Sequence, residues 1–168
     1  FVLVTLDAGQ QPLMLFSTLL VGICIGLYFF NAPPARLFLG DGGAQTLGFI
    51  LAAIAIAYLP RNAYQSSSWF VPILLLGVPI FDMFLVVTSR LRRRKPVYRS
   101  ARDHTYHQLR ARGMSPERAV LIMHLAGILL GCLAAASLQQ APLVANAIFL
   151  AIILLGVGLI IVLDRNHQ

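Results

Sequence analysis

The chain has 168 residues, of which 58% are hydrophobic and 11% are charged, and its formal net charge is +7. Soluble globular domains carry about 25% charged residues, so this composition excludes an ordinary soluble protein and indicates a membrane protein. The positive charge is therefore attributed to membrane topology and to attraction for anionic lipid or phosphate, and nucleic-acid binding is not expected.

Long runs without charge predict an all-α polytopic bundle of about five transmembrane helices. The predicted spans are residues 13–30, 44–59, 69–88, 117–137 and 143–163, and the longer polar connections are residues 31–43 and 89–116. The two cysteines, Cys24 and Cys132, lie in apolar runs, and we expect no disulfide between them. The opening FVLVTL is too short to span a membrane and is typical of the last turns of a helix that begins upstream.

Most of the charge is concentrated in one segment. Ten of the 13 Lys and Arg residues lie between Arg90 and Arg118, which predicts a cytoplasmic position for the 89–116 connection. Counting spans outward places residues 31–43 and the C-terminal tail on the same face. The two polar connections are therefore predicted to meet at one membrane surface and to form an active site there.

The first candidate site is the GDGG turn at residues 40–43. Glycines allow close approach of backbone to a ligand, and the free N–H groups of a following helix favour an anion. A carboxylate at such a place suits Mg²⁺, which takes oxygen ligands and bridges to substrate phosphates. Asp41 is thus a candidate metal ligand, and the alternative that it only caps a helix starting at Ala44 stays open.

The second candidate site is the DHTYH segment at residues 103–107. If this segment is helical, His104 and His107 share a face and Asp103 joins them, with Arg99 and Arg102 nearby. Imidazoles among arginines could hold a diphosphate or exchange protons near neutral pH. Three alternatives remain: a transition-metal site on the H-x-x-H pair, a basic surface for anionic lipid, and a solvated loop without function.

An acid inside the third predicted span is a further candidate. Asp82 precedes Arg90 by eight residues, which on a helix places it on the order of 12 Å below the basic segment. A charge at that depth usually faces the interior of a bundle. Asp82 could line a groove for lipid phosphate or form an internal pair with an arginine or with backbone.

Three motifs resemble, in order and spacing, those of the polyprenyl-phosphate N-acetylhexosamine-1-phosphate transferases, the glycosyltransferase family 4 enzymes that include undecaprenyl-phosphate GlcNAc-1-phosphate transferases and phospho-MurNAc-pentapeptide translocases. They are NAPPAR leading into FLGDGG at residues 31–43, PIFD at residues 79–82 and RDHTYH at residues 102–107. The resemblance covers essentially the whole chain, which is similar to the C-terminal half of the family's enzymes.

The resemblance implies transfer of a sugar 1-phosphate, such as GlcNAc 1-phosphate, from a UDP-sugar to polyprenyl (undecaprenyl) phosphate, with release of UMP. It implies Mg²⁺ or Mn²⁺ as cofactor and a multi-pass protein of the bacterial inner membrane with its active face in the cytoplasm; a homodimer is among the expected assemblies. By position, Asp41 matches the family's metal-associated aspartate, and His104 and His107 match outer members of its histidine motif. The expected substrate-binding residues are Asn31, Gly42, Gly43, Arg99, Arg102, Asp103 and Tyr106.

This chain departs from the family pattern at several points. Tyr106 stands where the motif usually has a further histidine, and Ala44 stands where serine is common. The family's Asp-Asp-x-x-Asp motif does not occur in these 168 residues, so we expect the isolated chain to be inactive. Two other classes stay open: a noncatalytic membrane protein whose basic segment binds anionic lipid or a partner, and a transporter, for which Asp82 and His124 would be the intramembrane charges.

Overall fold

A computed structural model describes residues 1–31, 36–61, 69–94, 96 and 103–165. These residues form helices and turns, and no strand occurs among them. The predicted all-α class is confirmed. The helices are α1 (Val2–Asp7), α2 (Gln11–Asn31), α3 (Gly40–Ala57), α4 (Val71–Leu75), α5 (Gly77–Arg92), α6 (Thr105–Ala111), α7 (Pro116–Ser137) and α8 (Pro142–Arg165).

Four of these helices are long and apolar enough to cross a membrane: α2, α3, α7 and α8. Each contains most of one predicted span, and large apolar side chains along them are exposed, including Phe16, Phe49 and Leu154. Such surfaces are unfavourable in water but match lipid tails. The chain is therefore a multi-pass membrane protein.

The third predicted span, residues 69–88, is not one helix. It is divided into α4 and α5 at Leu76, whose backbone angles (φ −96°, ψ 13°) leave the helical range. Pro79 explains the division, because it has no N–H to donate to the carbonyl of Leu75 four residues earlier. α5 also continues beyond the predicted boundary to Arg92, so the first arginines of the basic segment lie on a helix and not in the predicted 89–116 loop.

Internal contacts divide the chain into two units, Phe1–Pro72 and Ile73–Gln168. In the first unit, Gly9 turns the chain between α1 and α2 with φ +70°, a conformation that favours glycine. The adjacent Gln10 binds the C-terminal end of α3. Its amide nitrogen donates to the carbonyl of Ala57 (3.0 Å), and its amide oxygen accepts from the N–H of Leu59 (3.1 Å).

The second unit contains α5 to α8. α5 packs against α7 at Gly77, where an added Cβ would lie 2.7 Å from Cδ1 of Leu130. The predicted start of the fourth span is confirmed: the hydroxyl of Ser115 accepts from the N–H of Arg118 (3.3 Å), and Pro116 is the first residue of α7. This combination of cap and proline fixes where the chain leaves the basic segment and enters the membrane.

Candidate active site

Helix α6 carries the histidine segment and is anchored on one side. Gln108 and Leu109 are buried, and the amide nitrogen of Gln108 donates to the carbonyl of Asp103 (3.1 Å). His104 is the N-cap of α6, with extended backbone angles (φ −64°, ψ 153°), and is not inside the helix as the spacing predicted. The imidazoles therefore lie at the start and in the first turn of a short, packed helix rather than in a solvated loop.

Asp103 is held apart from the histidines by ion pairs, and its predicted role in substrate binding stays a prediction. It lies before α6, it is buried, and its two carboxylate oxygens pair with Nε of Arg90 (3.1 Å) and Nη1 of Arg93 (3.2 Å). The prediction of a shared face for Asp103 and His107 is wrong because this carboxylate is drawn to the two arginines of α5. A buried carboxylate needs such partners, since desolvation of an unpaired charge is costly.

A second carboxylate, that of Asp164, also pairs with the basic segment. Asp164, near the end of α8, is 4% exposed and pairs with Nε of Arg92 (2.5 Å). Arg112 donates to the carbonyls of Leu163 (2.9 Å) and Val162 (3.3 Å) in the last turn of α8. Cations at a helix C-terminus satisfy carbonyls that lack an intrahelical partner and interact favourably with the helix dipole.

Four of the ten basic residues of the segment form an internal clamp, meaning that they hold its helices together by ion pairs and hydrogen bonds. Among its arginines in the described ranges, Arg90, Arg92, Arg93 and Arg112 each bind a carboxylate or a helix carbonyl of the same unit. These contacts account for four of the ten basic residues without an anionic lipid, which weakens the noncatalytic alternative. Arg99 and Arg102, predicted to bind substrate, lie outside the described residues.

Asp82 forms an internal pair, as one of the alternatives predicted: one partner is backbone, and the other is a histidine that the sequence did not indicate. Its Oδ2 lies 2.7 Å from Nδ1 of His104, and its Oδ1 accepts from the backbone N–H of Thr105 (2.6 Å). The start of α6 therefore lies beside Asp82. The side chain of His104 remains 53% exposed while that of Asp82 is 22% exposed.

The other two aromatic residues of the motif lie beside His104. The ring centroids of His104 and His107 are 6.5 Å apart, and the ring of Tyr106 meets that of His107 edge to face at 5.2 Å. His104, Tyr106 and His107 are all at least partly exposed, whereas Gln108 and Leu109 are buried. The predicted residues of this motif, except for Asp103, therefore form one accessible polar cluster, which can hydrogen-bond to a ligand.

The GDGG turn at residues 40–43 forms the first turn of α3. α3 begins at Gly40, which has φ +64°, and Asp41 lies in the first turn with an exposed side chain. The alternative that Asp41 is an N-cap is wrong, because the N-cap is Leu39. The predicted 31–43 connection is correspondingly shorter, since Gly42 and Gly43 also belong to α3. Asn31 is the last residue of α2 and is exposed.

The surroundings of Asp41 fit one ligand of a hard cation. Within the part of the chain that the structure describes, no hydrogen bond or ion pair occupies the Asp41 carboxylate, and no three His, Cys, Asp or Glu residues form a metal-binding group. Mg²⁺ is commonly held by one or two carboxylates with waters and substrate phosphates completing the shell. Asp41 belongs to the first unit and the histidines to the second, so their predicted meeting at one surface remains a prediction.

The chain is similar in sequence to proteins of one known family. Residues 1–59 match the family model described as glycosyl transferase family 4. A decaprenyl-phosphate N-acetylglucosaminephosphotransferase of Mycobacterium tuberculosis is 32% identical over 171 aligned positions, covering 95% of this chain and 42% of the relative. A probable undecaprenyl-phosphate N-acetylglucosaminyl 1-phosphate transferase of Bacillus subtilis is 31% identical over 127 positions, covering 74% of this chain and 34% of the relative.

The chain belongs to glycosyl transferase family 4. A phospho-N-acetylmuramoyl-pentapeptide-transferase of Desulfotalea psychrophila is a third relative, 30% identical over 136 positions that cover 79% of this chain and 35% of the relative. This family 4 chain thus spans less than half the length of each of these three relatives. No solved structure matches it significantly.

Both candidate sites of this family 4 chain lie within stretches that relatives share. The family model includes Asn31, Asp41, Gly42 and Gly43. The alignment with the mycobacterial relative covers 95% of the chain and so extends through the histidine segment. Sequence reasoning found both motifs but missed the bond between Asp82 and His104, for which the only signal was an acid inside an apolar span with no local partner.

Proposed function

We propose that the native protein, by which we mean the full-length protein that contains these 168 residues, transfers a sugar 1-phosphate from a UDP-sugar to polyprenyl phosphate. The transfer takes place at the cytoplasmic face of a bacterial inner membrane and releases UMP. The proposed donor sugar is of the N-acetylglucosamine type and the proposed acceptor is undecaprenyl phosphate. The names of the mycobacterial and Bacillus relatives, which specify a polyprenyl phosphate and an N-acetylglucosaminyl phosphate transfer, support this assignment. The reaction would begin the synthesis of a cell-envelope polysaccharide.

One structural observation favours an enzyme over a lipid-docking protein. Arginines of the basic segment turn inward to Asp103 and Asp164, while His104 and His107 remain accessible. A surface evolved for anionic lipid would present its guanidinium groups to the bilayer headgroups and would not need imidazoles. An internal clamp that holds a pair of imidazoles in place is instead what a binding site for a polar substrate requires.

The chemistry is a phosphoryl transfer. An oxygen of the lipid phosphate attacks the phosphorus that carries the sugar, and the bond from that phosphorus to the oxygen shared with the nucleoside phosphate breaks. The products are a polyprenyl diphosphate sugar and UMP. Such a reaction depends on positioning and on neutralising negative charge. His104, His107 and Tyr106 would contact the nucleotide sugar, and Asp41 would hold Mg²⁺, which supplies charge neutralisation at the phosphate oxygens when bound.

We further propose that the 168-residue chain by itself is inactive. It has six acidic residues, and three of those described are already paired: Asp82 with His104, Asp103 with Arg90 and Arg93, and Asp164 with Arg92. This leaves Asp41 as the carboxylate best placed for metal, whereas phosphoryl-transfer sites often use two metal ions and several carboxylates.

The test is an assay of UMP release in detergent or liposomes that contain UDP-N-acetylglucosamine, undecaprenyl phosphate and Mg²⁺. We expect the native protein to release UMP in proportion to the formation of lipid-linked diphosphate sugar, and EDTA to stop both. The purified 168-residue chain should release no more UMP than a blank without protein. Native protein that binds acidic vesicles but forms no lipid-linked product would contradict the proposed activity.

A further inference from the structure

The contact between Asp82 and His104 fixes both the position of the imidazole ring and the nitrogen that carries its proton. The two carboxylate oxygens of Asp82 bind two groups in succession along the chain, the imidazole Nδ1 of His104 (2.7 Å) and the N–H of Thr105 (2.6 Å). The N–H of Thr105 can only donate. Both oxygens are therefore engaged by the start of α6, and the ring and the backbone beside it are held by a single side chain.

The position of one imidazole proton follows from the chemistry of the carboxylate. An ionised carboxylate has acceptors and no donor, so the 2.7 Å contact requires a proton on Nδ1 of His104. In the neutral imidazole the other nitrogen, Nε2, then carries a lone pair and no proton. No group in the described ranges hydrogen-bonds to Nε2, and the side chain is 53% exposed, so this acceptor is available to a ligand.

Both ends of the contact are fixed by packing. Asp82 projects from α5, whose neighbours Leu85 and Val86 are buried, and His104 directly follows Asp103, which is bound to Arg90 and Arg93. A ring held in this way has lost most of its rotational freedom before a substrate arrives. Preorganisation of this kind lowers the entropic cost of forming a hydrogen bond in a site.

We infer that Asp82 is a positioning residue that locks neutral His104 in the Nδ1–H tautomer and presents Nε2 as a hydrogen-bond acceptor for a hydroxyl group of the nucleotide sugar. The inference deepens the proposed function and rests on it for the identity of the ligand. It gives His104 a specific role, which is to recognise an O–H donor of the donor substrate.

Asp82→Asn separates this role from a role in packing. The amide has nearly the same shape, but it has one acceptor and one donor in place of two acceptors. If its oxygen keeps the bond to the N–H of Thr105, its NH₂ group faces Nδ1 of His104. The imidazole must then accept at Nδ1 and carry its proton on Nε2, so Nε2 changes from acceptor to donor.

The tautomer can be measured directly by NMR on native protein labelled with ¹⁵N-histidine, at a pH where His104 is neutral. The His104 signals are assigned by their loss in His104→Gln. We expect a protonated Nδ1 and a bare Nε2 in the unmodified protein, and the reverse in Asp82→Asn. Glu117→Gln, the same carboxylate-to-amide change at an exposed residue of the same unit, should leave the pattern unchanged. A protonated Nε2 in the unmodified protein would overturn the inference without recourse to any variant.

The kcat/KM values of single and double variants provide a second test, which distinguishes positioning of His104 from a role of Asp82 in packing. Asp82→Asn should lower kcat/KM for the UDP-sugar by about 10- to 100-fold. Because Asp82 acts through His104, the double variant Asp82→Asn/His104→Ala should be no less active than His104→Ala alone. Asp82→Glu, which keeps two acceptors, should recover part of the loss. Multiplicative losses in the double variant would overturn the inference.

The two tests fail independently. If the unmodified protein shows the Nδ1–H tautomer but forms no lipid-linked diphosphate sugar, the proposed function is wrong, and the positioning of His104 by Asp82 stands with the ligand reassigned. If transfer activity is present but the tautomer is Nε2–H, the proposed function stands and the role assigned to Asp82 is wrong.

Discussion

Asp41→Asn in the native protein should reduce Mg²⁺-dependent sugar 1-phosphate transfer by about 10²- to 10³-fold. The change preserves the size of the side chain but removes the negative charge that a ligand for a hard cation would need. Asp41 is exposed in the first turn of α3, so the loss of its favourable interaction with the helix dipole should cost no more than about 1 kcal/mol of stability. Activity should therefore fall while the fold is retained.

The measurement is initial UMP release as a function of Mg²⁺ concentration, together with thermal unfolding of the same preparations in detergent. Gln45→Ala, an exposed polar position one turn further along α3, is the control and should retain near-normal turnover. Normal activity of Asp41→Asn at every Mg²⁺ concentration would remove Asp41 from the metal site. A strongly lowered unfolding temperature would instead assign it a structural role.

Asp103→Leu should destabilise the protein by about 3–5 kcal/mol. The carboxylate of Asp103 is buried and neutralises both Arg90, whose side chain is 7% exposed, and Arg93. Removing it leaves guanidinium groups without their counter-charge in a site with little access to water, where the desolvation cost is no longer offset. The effect should appear as a large decrease in the unfolding temperature in detergent.

A paired substitution distinguishes loss of charge balance from loss of packing. In Asp103→Leu/Arg90→Met both partners of the most buried pair become apolar, and a large part of the lost stability should return. Glu117→Gln, at an exposed carboxylate, should leave the unfolding temperature nearly unchanged. If Asp103→Leu were as stable as the unmodified protein, the clamp would not hold the histidine segment.

Those parts of the fold that depend on local signals were predictable from the sequence. The apolar runs predict α2, α3, α7 and α8, and Ser115 with Pro116 predicts the start of α7 to the residue. The division of the third span at Leu76 was not predicted, although both of its prolines were visible. Prolines are tolerated in the first turn of a helix and in kinks, so their presence alone does not determine whether a span is continuous.

The candidate site also has a part that local motifs predicted and a part that depends on long-range contacts. Asp41, His104 and His107 were identified from local motifs and lie in accessible positions. Asp103 was placed with the histidines because helical spacing put it on their face, but it is drawn to Arg90 and Arg93 on another helix. The bonds from Asp82 to His104 and Thr105, 22 and 23 residues later, join segments whose approach no local pattern encodes. Long-range pairing of charges is decided by the fold and by desolvation, not by spacing along the chain.

The proposed function predicts that a metal ion bound at Asp41 and the imidazole of His104 act on the same substrate, and paramagnetic broadening by Mn²⁺ tests that prediction most directly. Native protein labelled with ¹⁵N-histidine is titrated with Mn²⁺ in the presence of UDP, and the His104 and His107 signals are compared with those of His124, inside α7. We predict that Mn²⁺ broadens His104 and His107 strongly and His124 less, and that Asp41→Asn abolishes the difference. Equal broadening of all three, or none at His104 when Mn²⁺ is bound through Asp41, would contradict it.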